Sequence, residues 1–130
     1  MKKLVFVIAV VLFASCEKKA SNDDTSLKMS KITEIKIGEI FHNAKYGLSL
    51  SVEKINDSRC PIGGVCVWAG EAVVEFHLIT PKDKYDFTLN TTFKEDIIIE
   101  SIKYRLMDVL PYPVIGEELT EKTVKIIVNN

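Results

Sequence analysis

Few residues that usually build catalytic or metal centres occur in this sequence. Its 130 residues include only two histidines and three cysteines, and they contain no Gly-x-Ser-x-Gly, phosphate-binding glycine loop or His-Glu-x-x-His motif. Basic and acidic residues number 17 and 18, which leaves no concentrated basic charge for a nucleic acid. The sequence therefore predicts a protein that is not an enzyme and that binds no metal, cofactor or nucleic acid.

A hydrophobic run long enough to cross a membrane is also absent. The longest apolar run, residues 4–14, has eleven residues, whereas a membrane-spanning helix needs about 20. This run follows the basic start Met1-Lys2-Lys3 and precedes small residues, an order that is typical of a secretory signal peptide. We therefore predict a signal peptide over residues 1–15.

The residues at the end of this signal, Ala14, Ser15 and Cys16, resemble the lipobox of bacterial lipoproteins. Phe13 departs from the leucine or valine that usually stands three residues before the cysteine. The resemblance implies that Cys16 becomes the acylated N-terminus and anchors the protein to a membrane of the bacterial cell envelope, on the periplasmic face or at the cell surface. The alternative is an ordinary signal peptide cleaved nearby, with Cys16 left as a free thiol.

Residues 17–30 are mostly polar, with Ala20, Leu27 and Met29 as their only apolar side chains. So few apolar groups are not expected to bury a core of their own. We therefore predict a lipidated cysteine and flexible tether over residues 16–30, followed by one folded domain over residues 31–130.

The apolar residues of the domain favour β-structure. From residue 17 onward the chain has 23 isoleucines and valines but only 12 leucines and alanines, and β-branched side chains fit pleated sheets better than helices. Apolar and polar residues also alternate, as in Leu48, Leu50 and Val52. Strands are predicted around residues 33–42, 48–53, 66–78, 85–90, 96–99, 102–107 and 124–129.

About seven short strands separated by turn residues predict an all-β fold, a small antiparallel β-sandwich that is Ig-like or has a similar Greek-key topology. The segment 115–123 is expected to cross between the two sheets. The strand over residues 66–78 is predicted to be the longest, with Trp68, Val74 and Phe76 on its inward face. Leu106 and Ile126 are expected to face the same core.

Cys60 and Cys66 are separated by five residues that include Pro61, Gly63 and Gly64, a composition that suits a tight loop. In an exported protein such a pair is expected to form a disulfide bond. A zinc site would need about four ligands with short spacing, and a catalytic cysteine would need a thiolate beside a base. Both alternatives fit the sequence less well than one short disulfide loop.

Residues 57–61 (DSRCP) and 66–70 (CVWAG) resemble the signature of a group of uncharacterised secreted proteins and lipoproteins of bacteria. A later pattern is similar to the same group, namely Tyr104-x-Leu106-x-x-Val109-x-Pro111-x-Pro113. The resemblance implies a small extracytoplasmic β-domain and brings no activity with it.

Two roles are open for the segment around the disulfide. As a structural staple, it would pair Arg59 with Asp57 and use Trp68 to seal the core. As a display loop, it would present Arg59 and Ile62 to a partner. The staple is the favoured interpretation, because Asp57 and Ser58 directly precede the arginine and offer it local partners.

The remaining candidate group, His77 with Glu71 and Glu75, is predicted to lie on a solvated strand face. The favoured function is therefore that of a membrane-anchored, non-catalytic binding or accessory module of the cell envelope, whose partner is an unknown envelope protein or ligand. The alternative is an inhibitor of a protease or another hydrolase that uses residues 57–66 as its contact.

Overall fold

The computed structural model describes residues 24–117 and 120–130. The predicted signal peptide, Cys16 and the first part of the predicted tether lie outside these residues. Within the described ranges, no helix is long and apolar enough to span a bilayer.

The described chain is all-β, as the sequence predicts. Alternating apolar residues favour strands because successive side chains point to opposite faces, which lets one face of each strand be buried. Eight strands form in the described residues, rather than about seven. They are β1 (Ile32–Lys36), β2 (Ile40–Asn43), β3 (Leu48–Asp57), β4 (Ala72–Ile79), β5 (Lys84–Asn90), β6 (Asp96–Ile99), β7 (Ile102–Leu110) and β8 (Thr123–Asn129).

These strands make two four-stranded antiparallel sheets, in the orders β1-β8-β7-β6 and β2-β3-β4-β5, which confirms the predicted sandwich. The chain changes sheet between β1 and β2 and again between β5 and β6. Strands β7 and β8 are direct neighbours, so the prediction that residues 115–123 cross between the sheets is wrong. This long connection returns the chain to the same sheet, where β8 pairs with β7. The inward residues of both strands then cover the same side of the core.

The core lies between the two sheets and is built from one face of each strand. The residues predicted to face inward on β3, β4, β7 and β8 are buried, among them Val74, Leu106 and Ile126. The rings of Phe76 and Phe87 stack with their centroids 5.2 Å apart. The alternation in the sequence thus identifies the inward faces of these four strands.

Residues 33–42, predicted as one strand, form two strands in different sheets. Gly38 takes a positive φ of 85° between β1 and β2, a conformation that favours glycine. The side chain of Glu39 accepts a hydrogen bond from the Lys36 amide at 2.9 Å. This turn carries the chain from one sheet to the other and accounts for the additional strand.

The longest strand is β3, with ten residues, because β4 begins at Ala72 rather than at Cys66. Gly70 interrupts the extended backbone with a φ of 70°. Its position also excludes a side chain, since a Cβ there would lie 1.9 Å from the Ser58 carbonyl oxygen. The alternation of β4 therefore does not reach Trp68, which is 78% exposed, and the prediction that Trp68 faces the core is wrong.

The folded unit begins earlier than predicted. Leu27 is only 1% exposed and belongs to the core, and its amide donates to the His42 carbonyl oxygen at 2.8 Å. The His42 amide in turn donates to the Thr25 carbonyl oxygen at 2.9 Å, and the Ser30 amide donates to the Val128 carbonyl oxygen. The prediction of a flexible tether is therefore wrong for residues 25–30, which pack against both sheets.

Four connections lie at one end of the sandwich, and we call it the loop end. They are the turn 37–39 between β1 and β2, the loop 58–71 between β3 and β4, the loop 91–95 between β5 and β6, and the connection 111–122 between β7 and β8. Antiparallel pairing places the end of each strand beside the start of the next one. The predicted candidate residues 57–70 therefore meet residues from the far half of the chain at this end.

Candidate functional site

The loop 58–71 begins as a continuation of the ladder between β3 and β4. The Ser58 amide donates to the Glu71 carbonyl oxygen at 2.8 Å, and the Cys60 amide donates to the Ala69 carbonyl oxygen at 2.7 Å. The Ser58 hydroxyl also donates to the Glu71 carbonyl oxygen, at 2.9 Å. These bonds hold the two arms of the loop together at its base.

The predicted disulfide between Cys60 and Cys66 is confirmed, with the two Cα atoms 5.9 Å apart. The two cysteines are six positions apart in sequence. Closing so small a loop stabilises a fold by only about 2 kcal/mol in the chain-entropy model. The main effect of this bond is therefore local, because it restricts the shape of the loop.

Arg59 lies at the base of this loop and is only 8% exposed. Its Nε donates to Asp57 Oδ1 at 2.8 Å, and its Nη2 donates to Asp57 Oδ2 at 2.7 Å. This two-point arrangement is the one in which a guanidinium matches a carboxylate best. Both side chains are almost completely buried, so the ion pair is shielded from solvent.

The same guanidinium joins the two sheets. Its Nη2 also donates to the Val109 carbonyl oxygen on β7 at 2.7 Å, and Asp108 Oδ1 lies 3.4 Å from Nη1. The Tyr112 ring centroid lies 4.3 Å from the guanidinium carbon, a distance at which a cation and an aromatic ring attract each other. Arg59, next to the end of β3, thereby binds the end of β7 on the opposite sheet.

Asp57 also binds a second cation. Lys122 Nζ donates to Asp57 Oδ2 at 2.9 Å and to the Pro111 carbonyl oxygen at 2.6 Å. Burial alone would raise the pKa of Asp57, but hydrogen bonds from Arg59 and Lys122 outweigh burial and hold that pKa at about 2. The pKa of Arg59 is raised, mainly by its hydrogen bonds to Asp57. Both groups are therefore charged at neutral pH.

The loop 58–71 also contacts the connection 111–122 through its backbone. The Ile62 amide donates to the Pro113 carbonyl oxygen at 2.9 Å, and the Ile115 amide donates to the Ile62 carbonyl oxygen at 3.1 Å. Ile62 and Ile115 nevertheless keep more than half of their side-chain surface in solvent. Two hydrogen bonds thus fix the backbone of Ile62 against the connection 111–122, while the side chains of Ile62 and Ile115 remain exposed to solvent.

Of the two predicted partner contacts, Arg59 and Ile62, only Ile62 is exposed. Arg59 is buried and pairs with Asp57, as the staple interpretation predicts. Its buried guanidinium cannot enter the cleft of a hydrolase, so the inhibitor alternative loses its arginine contact. The display interpretation survives at Ile62 and not at Arg59.

Sequence reasoning missed the most exposed apolar residues of the loop. Val65 is fully exposed, Val67 is 93% exposed, and Trp68 follows it directly in the chain. Single exposed apolar side chains are ordinary, whereas contiguous exposed apolar patches are typical of surfaces that contact another molecule. We call Val65, Val67 and Trp68 the apolar tip. The one signal in the sequence that could have indicated it is the lack of any charged residue over residues 60–70.

Other titratable side chains form pairs rather than a larger centre. In the part of the chain that the structure describes, no three histidine, cysteine, aspartate or glutamate side chains are arranged to hold a metal ion. His77 Nδ1 lies 2.5 Å from Asp86 Oδ1 on the outer face of β4 and β5. Glu71 lies just outside β4, which begins at Ala72.

The fold and the site define a small β-sandwich domain with one disulfide-closed loop that carries an apolar tip on a buried ionic base. In comparisons with known proteins, no family model, no curated protein and no solved structure matches the chain. Its function is therefore inferred from the geometry and chemistry of the loop end.

Proposed function

We propose that this protein is a lipid-anchored lipoprotein of the bacterial cell envelope whose β-sandwich is a non-catalytic binding module. The anchor is the lipid on Cys16, and the binding surface is the loop end, centred on the apolar tip. The observation that carries the proposal is the exposure of Val65, Val67 and Trp68 on a loop whose base is tightly held.

Exposure of the apolar tip to water is unfavourable. Burying a large apolar side chain stabilises a protein by roughly 1.5 to 3 kcal/mol relative to leaving it in solvent. A partner that covers Val65, Val67 and Trp68 recovers part of that free energy. Tryptophan is also among the residues that contribute most to the free energy of binding at interfaces.

The structure of the loop favours binding in a second way. The backbone of the loop is already restricted by the disulfide, by the hydrogen bonds at the base of the loop and by the bonds of Arg59 to Asp57 and to the Val109 carbonyl oxygen. A restricted loop loses less conformational entropy on binding than a mobile one. The disulfide also supports an extracytoplasmic location, because disulfide bonds persist in oxidising compartments.

Site-specific photo-crosslinking in intact cells tests the binding surface. A photoreactive amino acid at position 67 should give a specific adduct, because Val67 is exposed at the tip. The matched control is position 98, since Ile98 is also an exposed apolar residue but lies on β6. No adduct from position 67, or the same adducts from both positions, would contradict the proposed surface.

The anchor is tested separately. A Cys16→Ala chain should no longer be acylated and should leave the membrane fraction, which can be followed by detergent partitioning. A Cys16→Ala chain that stays in the detergent phase to the wild-type extent would show that the anchor is wrong.

A further inference from the structure

We propose that the partner of the apolar tip is the membrane itself, with Trp68 and its two valine neighbours seated in the interfacial region of the bilayer that holds the lipid anchor. This inference rests on the proposed function and identifies the partner of the proposed binding surface. The domain then has a second membrane contact besides Cys16, and two contacts orient the sandwich relative to the bilayer.

The chemistry of the loop favours lipid. Residues 60–70 contain no aspartate, glutamate, lysine, arginine or histidine, and it is charged side chains that oppose entry into a bilayer most strongly. Trp68 suits the boundary between water and lipid, because its ring is apolar while its indole N–H still donates a hydrogen bond. A protein partner recognised through charge would find no complementary group on this segment.

Several backbone groups of the loop are already hydrogen-bonded within the protein, which favours contact with a medium that contains little water. Unpaired backbone groups are costly in lipid. The Cys60 and Gly64 amides donate to the carbonyl oxygens of Ala69 and Pro61, at 2.7 and 2.9 Å. The Ile62 amide donates to the Pro113 carbonyl oxygen. These bonds pair backbone groups that flank the apolar tip, so those groups need no water when the tip approaches the interface.

The described chain enters the domain from the direction of the same end. Strand β3 ends at Asp57, where the loop begins, and β2 is antiparallel to β3, so β2 runs away from the loop end. Ser26 pairs with His42 of β2 in parallel orientation. Asp24 and Thr25, the described residues before Ser26, therefore lie on the side of Ser26 that faces the loop end.

The length of chain between the anchor and the domain is short. Eight residue steps separate Cys16 from Asp24, and a chain of that length spans at most about 29 Å. By the strand register, Asp24 lies roughly level with Ile40, which pairs with Ser51. The six steps of β3 from Ser51 to Asp57 cover about 20 Å. At full extension this chain therefore reaches past Asp57, at the base of the loop, and about as far as Cys60, three steps further on.

Quenching of Trp68 by brominated lipid tests this inference. Trp68 is the single tryptophan of the chain, so its fluorescence reports on the tip alone. The lipidated protein is reconstituted into vesicles of phosphatidylcholine whose acyl chains carry bromine, and into unbrominated vesicles for comparison. Flotation of the vesicles measures the anchor, and the loss of emission in brominated vesicles measures contact between the tip and lipid.

We expect the wild-type protein to float and its emission to be strongly quenched by brominated lipid. The double variant Val65→Ser and Val67→Ser should float equally well but lose most of that quenching, because two apolar contacts are removed while the reporter is kept. Both side chains are exposed, so the fold should be retained, as circular dichroism will check. The matched control Ile98→Ser should be quenched like the wild-type protein.

The outcomes separate this inference from the proposed function. A protein that floats but shows equal emission in brominated and unbrominated vesicles overturns the membrane contact and leaves the anchor intact. A protein adduct from position 67 in cells, together with that result, identifies a protein as the partner of the tip. A lipid adduct from position 67 supports the membrane contact. A wild-type protein that does not float overturns the anchor, and the inference that depends on it.

Discussion

Replacing Arg59 by alanine should lower the free energy of unfolding by about 3 to 5 kcal/mol, the usual cost of removing one partner of a buried ion pair. The change removes two hydrogen bonds to Asp57 and one to the Val109 carbonyl oxygen. It leaves the Asp57 carboxylate buried, with Lys122 as its remaining ion-pair partner. An exposed ion pair contributes only about 0 to 1 kcal/mol, so the burial of both side chains is what raises the expected loss of stability.

Two further variants separate burial from charge. Arg105 pairs with Glu95 at 3.3 Å, but both side chains are nearly half exposed, so Arg105→Ala should cost no more than about 1 kcal/mol. Arg59→Lys keeps the positive charge and loses the planar fork that binds Asp57 at two points. We expect its stability to lie between those of the wild-type protein and Arg59→Ala.

Urea unfolding followed by far-UV circular dichroism, without reductant, measures these free energies. The fold keeps its disulfide under these conditions, so all chains are compared in the same covalent state. An Arg59→Ala chain that loses no more stability than Arg105→Ala would refute the account of Arg59 as the link between the two sheets.

The other predictions concern the faces of the strands, the start of the fold and its dependence on pH. Trp68→Ala should change the free energy of unfolding by no more than about 0.5 kcal/mol because the side chain is exposed. Phe76→Ala should lower it by about 3 to 5 kcal/mol. The reverse order in urea unfolding would show that the inward and outward faces are misassigned. Leu27→Ala should cost about 2 to 5 kcal/mol, and an unchanged midpoint would mean that residues 25–30 are a tether after all. The pKa of Asp57 is about 2 in the folded chain against an ordinary value of 3.8. The ionised carboxylate therefore stabilises the fold fully above about pH 4, and about 2 kcal/mol of the free energy of unfolding is lost as the pH falls through 2. The difference in free energy of unfolding between the wild-type and Asp57→Asn chains should therefore narrow as the pH falls from about 4 to 2. A constant difference would contradict the lowered pKa of Asp57.

Much of the fold follows from sequence periodicity, and the errors occur where periodicity ends. Even-numbered residues from Ala72 to Leu78 are buried as predicted, because a continuous strand keeps its parity. Gly70 breaks that continuity, so the same parity gave a wrong face for Trp68. Leu27 could not be predicted as a core residue, since a single apolar residue in a polar segment carries no periodic signal.

The candidate site was predictable only where its contacts are local. Cys60 with Cys66 and Asp57 with Arg59 are near neighbours in sequence, and both pairings were predicted. The bond from Arg59 to the Val109 carbonyl oxygen joins residues fifty positions apart. That contact depends on how the two sheets are packed, and no local pattern in the sequence reports sheet packing.

The central claim is that the disulfide loop holds its apolar side chains in solvent, ready for contact. Acrylamide quenching of Trp68 fluorescence in the purified, membrane-free protein tests this claim most directly, because the chain has no other tryptophan. The account predicts emission and quenching close to those of a water-exposed tryptophan derivative. Blue-shifted emission that acrylamide quenches weakly would show that Trp68 is buried and would contradict the account.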